Sequence, residues 1–437
     1  MTKTELDIDL SFVKDDLIKN NSIDHTLYQK YEVKRGLRNQ DGSGVLSGLT
    51  RISSVVGFHN LDGELIPKEG DLKLRGISLQ DLIAQFKPTD RFQFESICFL
   101  LLIGRAPNAS ELTQFSSYLA AHRHLPDAII TNVIKGVPSK NIMNKLQTAV
   151  SALYAYDDDA ETIDPYSDFL KAARIIAKLP LIVAYSYLAS YGNGDSQFLA
   201  PPAHYSQSEA FLYCLRSGKT PADFEAHVID LALVLHAEHG GGNNSTFTTY
   251  VVSSSQSDIY STLAAAVASL KGPLHGSANK KVMDMMADIK SNVSHWSDKA
   301  EVCSYLAKLI RKEVGDRSGK IYGLGHAVYT QSDPRAIIIK ELAKKVASDH
   351  DRMDEFNLYM LIADEGPRIF NEVKGSSKVI SPNVDFYSGF VYDCLDIPHE
   401  IFTPIFAMAR TAGWCAHRIE EGLSGKRIIR PGYKFVG

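Results

Sequence analysis

The sequence predicts a mainly α-helical fold, on three observations. Apolar residues recur at intervals of three and four along most of the chain past residue 79. These runs open on capping residues such as Asn, Ser and Thr, and several close on glycine. Long apolar–polar alternation and evenly spaced strand-like runs are both missing.

The elements follow in chain order. The first 40 residues are charged and expected to be peripheral. Their opening, MTKTELDIDLSF, has neither the apolar run of a secretory signal nor the basic face of a presequence. LSGLTRISSVVGFHNLDGELIPKEGDLKLRG is glycine-rich and predicts short strands and turns. Helices are then predicted at SLQDLIAQF, FESICFLLLIG and NASELTQFSSYLAAHR, the last capped by Asn108 or Ser110. Further helical runs are NKLQTAVSALYAY, SDFLKAARIIAKLPLIVAYSYLASYG and SQSEAFLYCLRSG. TPADFEAHVIDLALVLHAEHG predicts Thr220 as N-cap with Pro221 at the first helical position. In SDIYSTLAAAVASLKG, Ser257 is the cap candidate. Ile259, Leu263, Val267 and Leu270 form one face, and the alanines favour helix and close packing. KKVMDMMADIK, DKAEVCSYLAKLIRKEVG, RAIIIKELAKKVASDH and MDEFNLYMLIADE continue the pattern, and a last pair follows Pro382 and Phe402.

Composition bounds the function. A chain of 437 residues suggests two or three domains. Lys plus Arg is 47 and Asp plus Glu is 51, a net charge of −4, which argues against a general nucleic-acid binder. Five cysteines without a CxxC pair argue against a disulfide framework and fit a reducing compartment. No stretch approaches 18 consecutive apolar residues, so no membrane span is expected.

Three histidines sit beside glycine at helix ends or in loops: His239 in LHAEHGGGNNSTFT, His275 in KGPLHGSAN and His326 in GLGHAVYTQSDPRA. Glycine lets backbone approach a ligand closely. Each histidine alone reads first as a satisfied structural residue, and three in the same context weaken that reading. HAEH places His236 and His239 on one helix face, but no third ligand completes a zinc site, so His236 reads as a packing residue and no metal is expected. GLG at 323–325 is not GxGxxG, and SGKIYG is not a Walker A motif. Arg335 sits in a DPRA turn, Arg430 in KRIIRPGY, and Arg410 in the otherwise apolar FTPIFAMARTAGWCAHRIEE. A buried Arg410 needs a carboxylate partner, from the protein or from a ligand. Asp385, in SPNVDFYSGF, is a helix cap or a functional carboxylate.

Taken together and in this order, LHAEHGGGNNSTFT, SDIYSTLAAAVASLKGPLHGSANK, GLGHAVYTQSDPRA, SPNVDFYSGFVYDCLDIP, FTPIFAMARTAGWCAHRIEE and IIRP resemble the citrate synthase family, across residues 231–431. Weaker similarity reaches back to about residue 40. The resemblance implies a two-domain helical homodimer: a large domain from 1–280 and 391–437, a small one from 281–390, and a cleft that closes between them. It implies condensation of acetyl-CoA with oxaloacetate, then hydrolysis to citrate and CoA, without a permanently bound cofactor. By motif, Asp385 takes the place of the general base, His275 of the thioester-oxygen partner and His326 of the ketone partner. His239, Arg335 and Arg410 take the places of the oxaloacetate ligands, and Arg430 that of an arginine given across the dimer.

For CoA, the stretch Arg317, Ser318, Gly319, Lys320, Ile321, Tyr322, Gly323, Leu324, Gly325 resembles the loop that recognises the adenine. Thr330 departs from the pattern, standing where many members have Lys or Arg near the CoA phosphates, with Lys320, Arg317 or Arg311 left to compensate. EGPRIFNEVKGSSKVISP is longer and more polar than usual before Asp385. The alternatives are a 2-methylcitrate synthase using propionyl-CoA, a non-catalytic helical dimer binding CoA or dicarboxylates, and a metallohydrolase built on HAEH. The expected location is the cytoplasm, with small-molecule substrates and no nucleic-acid partner.

Overall fold

The computed structural model describes residues 19, 22–39, 42–61, 64–87, 89–193, 196–425 and 427–436; the opening MTKTELDIDLSF lies outside them. The chain divides into two units, Met1–Leu49 and Thr50–Gly437. Among its described residues the first unit holds helix α1 (Thr26–Lys30) and a 3-10 turn at Arg35–Leu37, neither with a buried residue.

The second unit starts with an antiparallel hairpin, β1 (Ser53–Leu61) and β2 (Glu64–Leu74), to which β3 (Ile77–Ser78) adds on the β2 side. The register pairs Val55 with Leu72 and shifts between Val56 and Phe58. Two glycines let the hairpin press on the loop after His326. A Cβ on Gly57 would lie 2.4 Å from the Val328 carbonyl oxygen, and one on Gly70 would lie 2.2 Å from that of Ser332. Thr330 closes the contact by donating its hydroxyl to the Gly57 carbonyl oxygen.

Helices supply nearly everything else, as the periodicity requires. They are α2 (Leu79–Ala84), α3 (Gln93–Ile103), α4 (Ala109–Ala121), α5 (Ile142–Ala152), α6 (Pro165–Tyr191), α7 (Gln207–Leu215), α8 (Asp223–His236), α9 (Asn244–Ser254) and α10 (Ile259–Lys271). Then come α11 (Ala278–Asn292), α12 (Lys299–Ile310), α13 (Pro334–Asp349), α14 (Met353–Lys374), α15 (Val384–Cys394) and α16 (Phe402–Ser424). Asn108 caps α4 in a full capping box, reciprocated by Glu111.

Three expectations shift. Helix α8 starts at Asp223, not at Pro221, because Glu225 folds back onto the Ala222 N–H (3.0 Å) and also pairs with Arg216 (2.8 Å). The cap of α10 is Asp258, one residue past Ser257, and its carboxylate accepts from the Ser261 N–H at 2.8 Å. Helix α14 runs through Pro367 to Lys374, so much of the polar stretch before Asp385 is helical. By length and composition α6 could cross a membrane, but 78% of its most apolar window is buried inside the protein. It is a core helix.

Helix α16 is the hub of the second unit, packing on α3, α5, α6, α8, α9, α10 and α11. Residues Ala407 to Ile419 of it are all buried, Trp414 and Arg410 completely. Gly413 allows the closest approach. Its N–H donates to the Ala237 carbonyl oxygen at the end of α8 (3.2 Å), and a Cβ there would lie 2.6 Å from that oxygen and 2.2 Å from Glu238 Oε2. Gly413→Ala is therefore expected to lower stability by about 1–3 kcal/mol despite alanine's better helix propensity. Thermal unfolding followed by circular dichroism checks this, and an unchanged or raised Tm would contradict the packing argument.

Candidate active site

The site is a cavity of about 150 Å³ in the second unit, with His239, His275, His326, Arg335, Asp385 and Arg410 all on its wall. Six of the seven residues singled out as catalytic or substrate-binding from the sequence thus meet at one place. The seventh, Arg430, is exposed on the tail after α16 and does not line the cavity.

Asp333 does much of the assembly. It caps α13, its Oδ1 accepting from the Arg335 N–H (3.0 Å) and Nε (3.0 Å). Its Oδ2 accepts from Arg335 Nη2 (2.8 Å) and also from the Val384 N–H at the start of α15 (3.2 Å). One carboxylate therefore joins the two helix N-termini that carry Arg335 and Asp385. Burial opposes the Arg335 charge, but Asp333 beside it holds the guanidinium above its ordinary value.

Asp385 follows Asn383, the cap of α15, whose Oδ1 accepts from the Asp385 N–H at 3.0 Å. Burial pushes the Asp385 carboxyl up to about 6, against the pull of Arg335. Asn383 also ties in the preceding loop. Its Nδ2 donates to the Gly325 carbonyl oxygen (2.8 Å) and its N–H to that of Gly323 (2.9 Å), while Leu324 bridges to Pro382. Arg317, Gly319, Gly323 and Gly325 all have positive φ. Gly323 is required as such: at φ +82 a Cβ would also lie 2.8 Å from Phe386 Cβ. None of residues 317–325 lines the cavity; the stretch is stitched to its edge. Within it Arg317 and Lys320 are exposed, as is Arg311 ahead of it in the chain.

The histidines are held neutral. Burial, with Arg335 next, pushes His326 down to about 4. Its Nδ1 accepts from the Val328 and Tyr329 N–H groups (2.9 and 3.1 Å), so the single ring proton lies on Nε2. His275 sits in a tight turn after α10, its N–H donating to the Gly272 carbonyl oxygen (2.9 Å). It is pushed down to about 4 by burial and then by Arg410. Its Nε2 lies 3.1 Å from Ser245 Oγ. His239 is pushed well down by burial and Arg335, and its Nε2 meets the Tyr329 hydroxyl at 3.2 Å.

Arg410 is fully buried. Its Nε donates to the His236 carbonyl oxygen (2.7 Å) and its guanidinium lies over Phe406 (4.5 Å), but Nη1 and Nη2 have no partner. Burial pulls it down to about 10, which still leaves it charged at neutral pH. Two unsatisfied donors on a buried cation at a cavity wall match the forked acceptor of a carboxylate.

His236 is buried against Phe406, as a packing residue should be, yet it also reaches the cavity, with Nδ1 unpartnered. Asn243 and Asn279 line the wall too; both lay inside the quoted GGNN and HGSAN segments. Among the described residues no group of three or more His, Cys, Asp or Glu is placed to hold a metal. Thr330 is spent on the hairpin, where its hydroxyl oxygen also accepts from the Lys68 N–H at 3.3 Å.

The family model for the C-terminal domain of citrate synthase matches residues 41–432. Citrate synthase of Deinococcus radiodurans is 39% identical over 371 residues, covering 84% of this chain and 90% of that protein. The 2-methylcitrate synthase of Mycobacterium tuberculosis is 33% identical, covering 94% and 92%. Among solved structures, the ternary complex of carboxymethyl coenzyme A and oxaloacetate with citrate synthase from Thermoplasma acidophilum superposes with a TM-score of 0.74 at 28% identity, covering 93% and 96%. A helical fold, a cavity that gathers the motif histidines and arginines, and similarity along nearly the whole chain agree: this chain belongs to the citrate synthase family of acyltransferases.

Proposed function

We propose that the chain condenses acetyl-CoA with oxaloacetate and hydrolyses the citryl thioester to citrate and CoA. The observation that carries the reading is the company kept in one cavity. A carboxyl raised to about 6, imidazoles kept neutral and an arginine fork without partners share its wall. The acetyl methyl group is a weak carbon acid, so its proton needs both a base and relief of the charge left behind. Asp385 takes that proton. A base with its pKa near 6 is stronger than an ordinary carboxylate yet ionised at neutral pH.

His275 donates from Nδ1 to the thioester oxygen as the enolate forms, which needs Ser245 to turn its hydroxyl proton from Asn243 Oδ1 (2.8 Å) onto Nε2. The nucleophilic carbon attacks the oxaloacetate ketone, and the Nε2–H of His326 supports the alkoxide. Arg335, Arg410 and His239 hold the carboxylates. Water then cleaves the thioester and releases CoA. No covalent enzyme intermediate is involved.

Residues 281–390 act as the small domain. In support, they carry His326, Arg335 and Asp385, whereas His239, His275 and Arg410 come from the flanking segments, so closing one part on the other completes the site and excludes water. CoA binds along 317–325, with backbone groups meeting the adenine and Arg311, Arg317 and Lys320 near the phosphates. The functional unit is a homodimer in which Arg430 reaches the neighbouring site. Its exposure and that of Ile428, Tyr433 and Phe435 around it favour a second copy. Five thiols, none paired and four of them buried, favour the cytoplasm.

Thiol release from acetyl-CoA with and without oxaloacetate tests the reaction: release that ignores oxaloacetate rejects it. The 2-methylcitrate alternative shares every step and differs by one methylene, worth about 1–3 kcal/mol. Acetyl-CoA is expected to exceed propionyl-CoA by about tenfold or more in kcat/KM, and the reverse order would transfer the assignment. Arg430→Ala is expected to be impaired as a homodimer and to regain activity in mixed dimers with a second inactive variant such as Asp385→Ala. A fully active Arg430→Ala homodimer would reject the shared site.

A further inference from the structure

Behind the cavity lies a buried polar chain that the reaction does not use. Glu238, between His236 and His239 in sequence, is 1% exposed, and His417 of α16 is 0% exposed. Glu238 Oε1 accepts from the Ser53 hydroxyl (2.7 Å), the Gly240 N–H (2.5 Å) and His417 Nε2 (3.0 Å). On the other side of the ring, His417 Nδ1 meets the Tyr250 hydroxyl at 2.7 Å. That hydroxyl also reaches Glu420 Oε2 (2.8 Å), so the ring is anchored on both sides. Nε2 of His417 is the donor to the ionised Glu238, and Nδ1 shares the Tyr250 hydroxyl with Glu420. The groups facing it are Glu238 from the end of α8, Tyr250 from α9 and Glu420 from its own helix. Arg75, at the end of β2, adds positive charge to the same neighbourhood.

The chain bears on Arg410. Glu238 is the main charge supporting the Arg410 guanidinium against burial, and Arg410 in turn favours the ionised Glu238. Yet the two do not touch. Glu238 Oε2 is unpartnered against Gly413, and Arg410 Nη1 and Nη2 are unpartnered at the cavity. A free carboxylate so close would be drawn onto the open fork, because opposite charges attract strongly in a water-poor interior. Three donors on Oε1 prevent that.

We propose that the Glu238–His417 pair is a positioning device that holds the counter-ion of Arg410 back from its guanidinium, leaving the fork charged and open for a substrate carboxylate. The proposal rests on the reading of Arg410 as an oxaloacetate ligand. Glu238 and His417 are positioning residues and touch no substrate. The arrangement resolves a conflict inherent in such a site. A buried arginine needs a nearby anion to stay charged, but an anion in contact would compete with the ligand.

The experiment uses the full-length protein. In a sample labelled with nitrogen-15 histidine, one ring should keep its proton on Nε2, hydrogen-bonded to a carboxylate, and that signal should vanish in His417→Ala. A His417 without a proton on Nε2 overturns the proposal whatever the enzyme does. In thiol-release kinetics, His417→Ala frees Glu238 to cap Arg410, so the oxaloacetate KM should rise by roughly tenfold or more while kcat stays within about threefold. Glu238→Gln/His417→Ala removes the competitor as well, and its KM should fall back below that of His417→Ala. A purely structural role predicts the opposite, a double variant as poor as the single or poorer. That result overturns the device. If His417→Ala does not fold, His417→Gln with and without Glu238→Gln gives the same comparison. Absence of oxaloacetate-dependent release in the wild-type protein would strike the proposed reaction instead, with the Nε2 proton signal still deciding the wiring.

Discussion

Replacing Asp385 with alanine should cut kcat by about 10²–10⁴-fold, the range a positioned general base contributes. The fold should survive, because the residue's structural bond runs from its backbone N–H to Asn383, and any side chain keeps it. Thiol release at saturating oxaloacetate measures the loss, and circular dichroism checks the fold. Turnover within a few-fold of wild type would remove Asp385 from the role of base. The wild-type pH profile gives a second check. Burial raises the Asp385 carboxyl to about 6, so its basic form dominates above that pH and is lost below it. The rate should therefore fall on the acid side with a midpoint near 6 in the free enzyme, well above the ordinary carboxylate range. Asp385→Asn should abolish that limb along with the activity.

Arg410→Leu should weaken oxaloacetate more than it weakens the acyl-CoA. A charge-assisted hydrogen bond is worth about 1.5–3 kcal/mol, so loss of the fork predicts an oxaloacetate KM raised by roughly 10–150-fold. The acyl-CoA KM, measured at saturating oxaloacetate, should change far less. The substitution deletes a buried cation whose two terminal nitrogens lack protein partners, so stability should suffer less than at an ordinary buried ion pair. A large loss of Tm with an unchanged oxaloacetate KM would make Arg410 a structural residue.

These two tests also separate what the sequence could reveal from what it could not. The helices were legible because their signals are local. Asn108 and Glu111 stand three apart, and the face of Ile259, Leu263, Val267 and Leu270 repeats within one element. The misplaced start of α8 turns on which side chain closes the first turn. Pro221 suits a first turn, but Glu225 is engaged with both Ala222 and Arg216, and the helix starts where that carboxylate closes it. The helical run MDEFNLYMLIADE was read as ending at Glu365, yet α14 continues through Pro367 to Lys374, where packing outweighs propensity.

The site residues were legible as motifs, but their electrical character was not. Nothing in FTPIFAMARTAGW says that Arg410 keeps two free donors. Nothing in HAEH says that its glutamate meets His417, 179 residues away. Asp333 looked like a turn residue in DPRA and proves to be the partner of Arg335, while Thr330 belongs to the hairpin.

Asp333 also limits how the site can be altered. Its two oxygens hold the first turns of α13 and α15 in one bracket, so Arg335 and Asp385 form a single mechanical part. An engineer who shifts α15 to fit a longer acyl group will drag the carboxylate clamp with it, trading one substrate's fit for the other's. A broader acyl range is better sought on the far wall, at Phe402, Thr403 and Phe406, which belong to a different helix and answer to a different anchor.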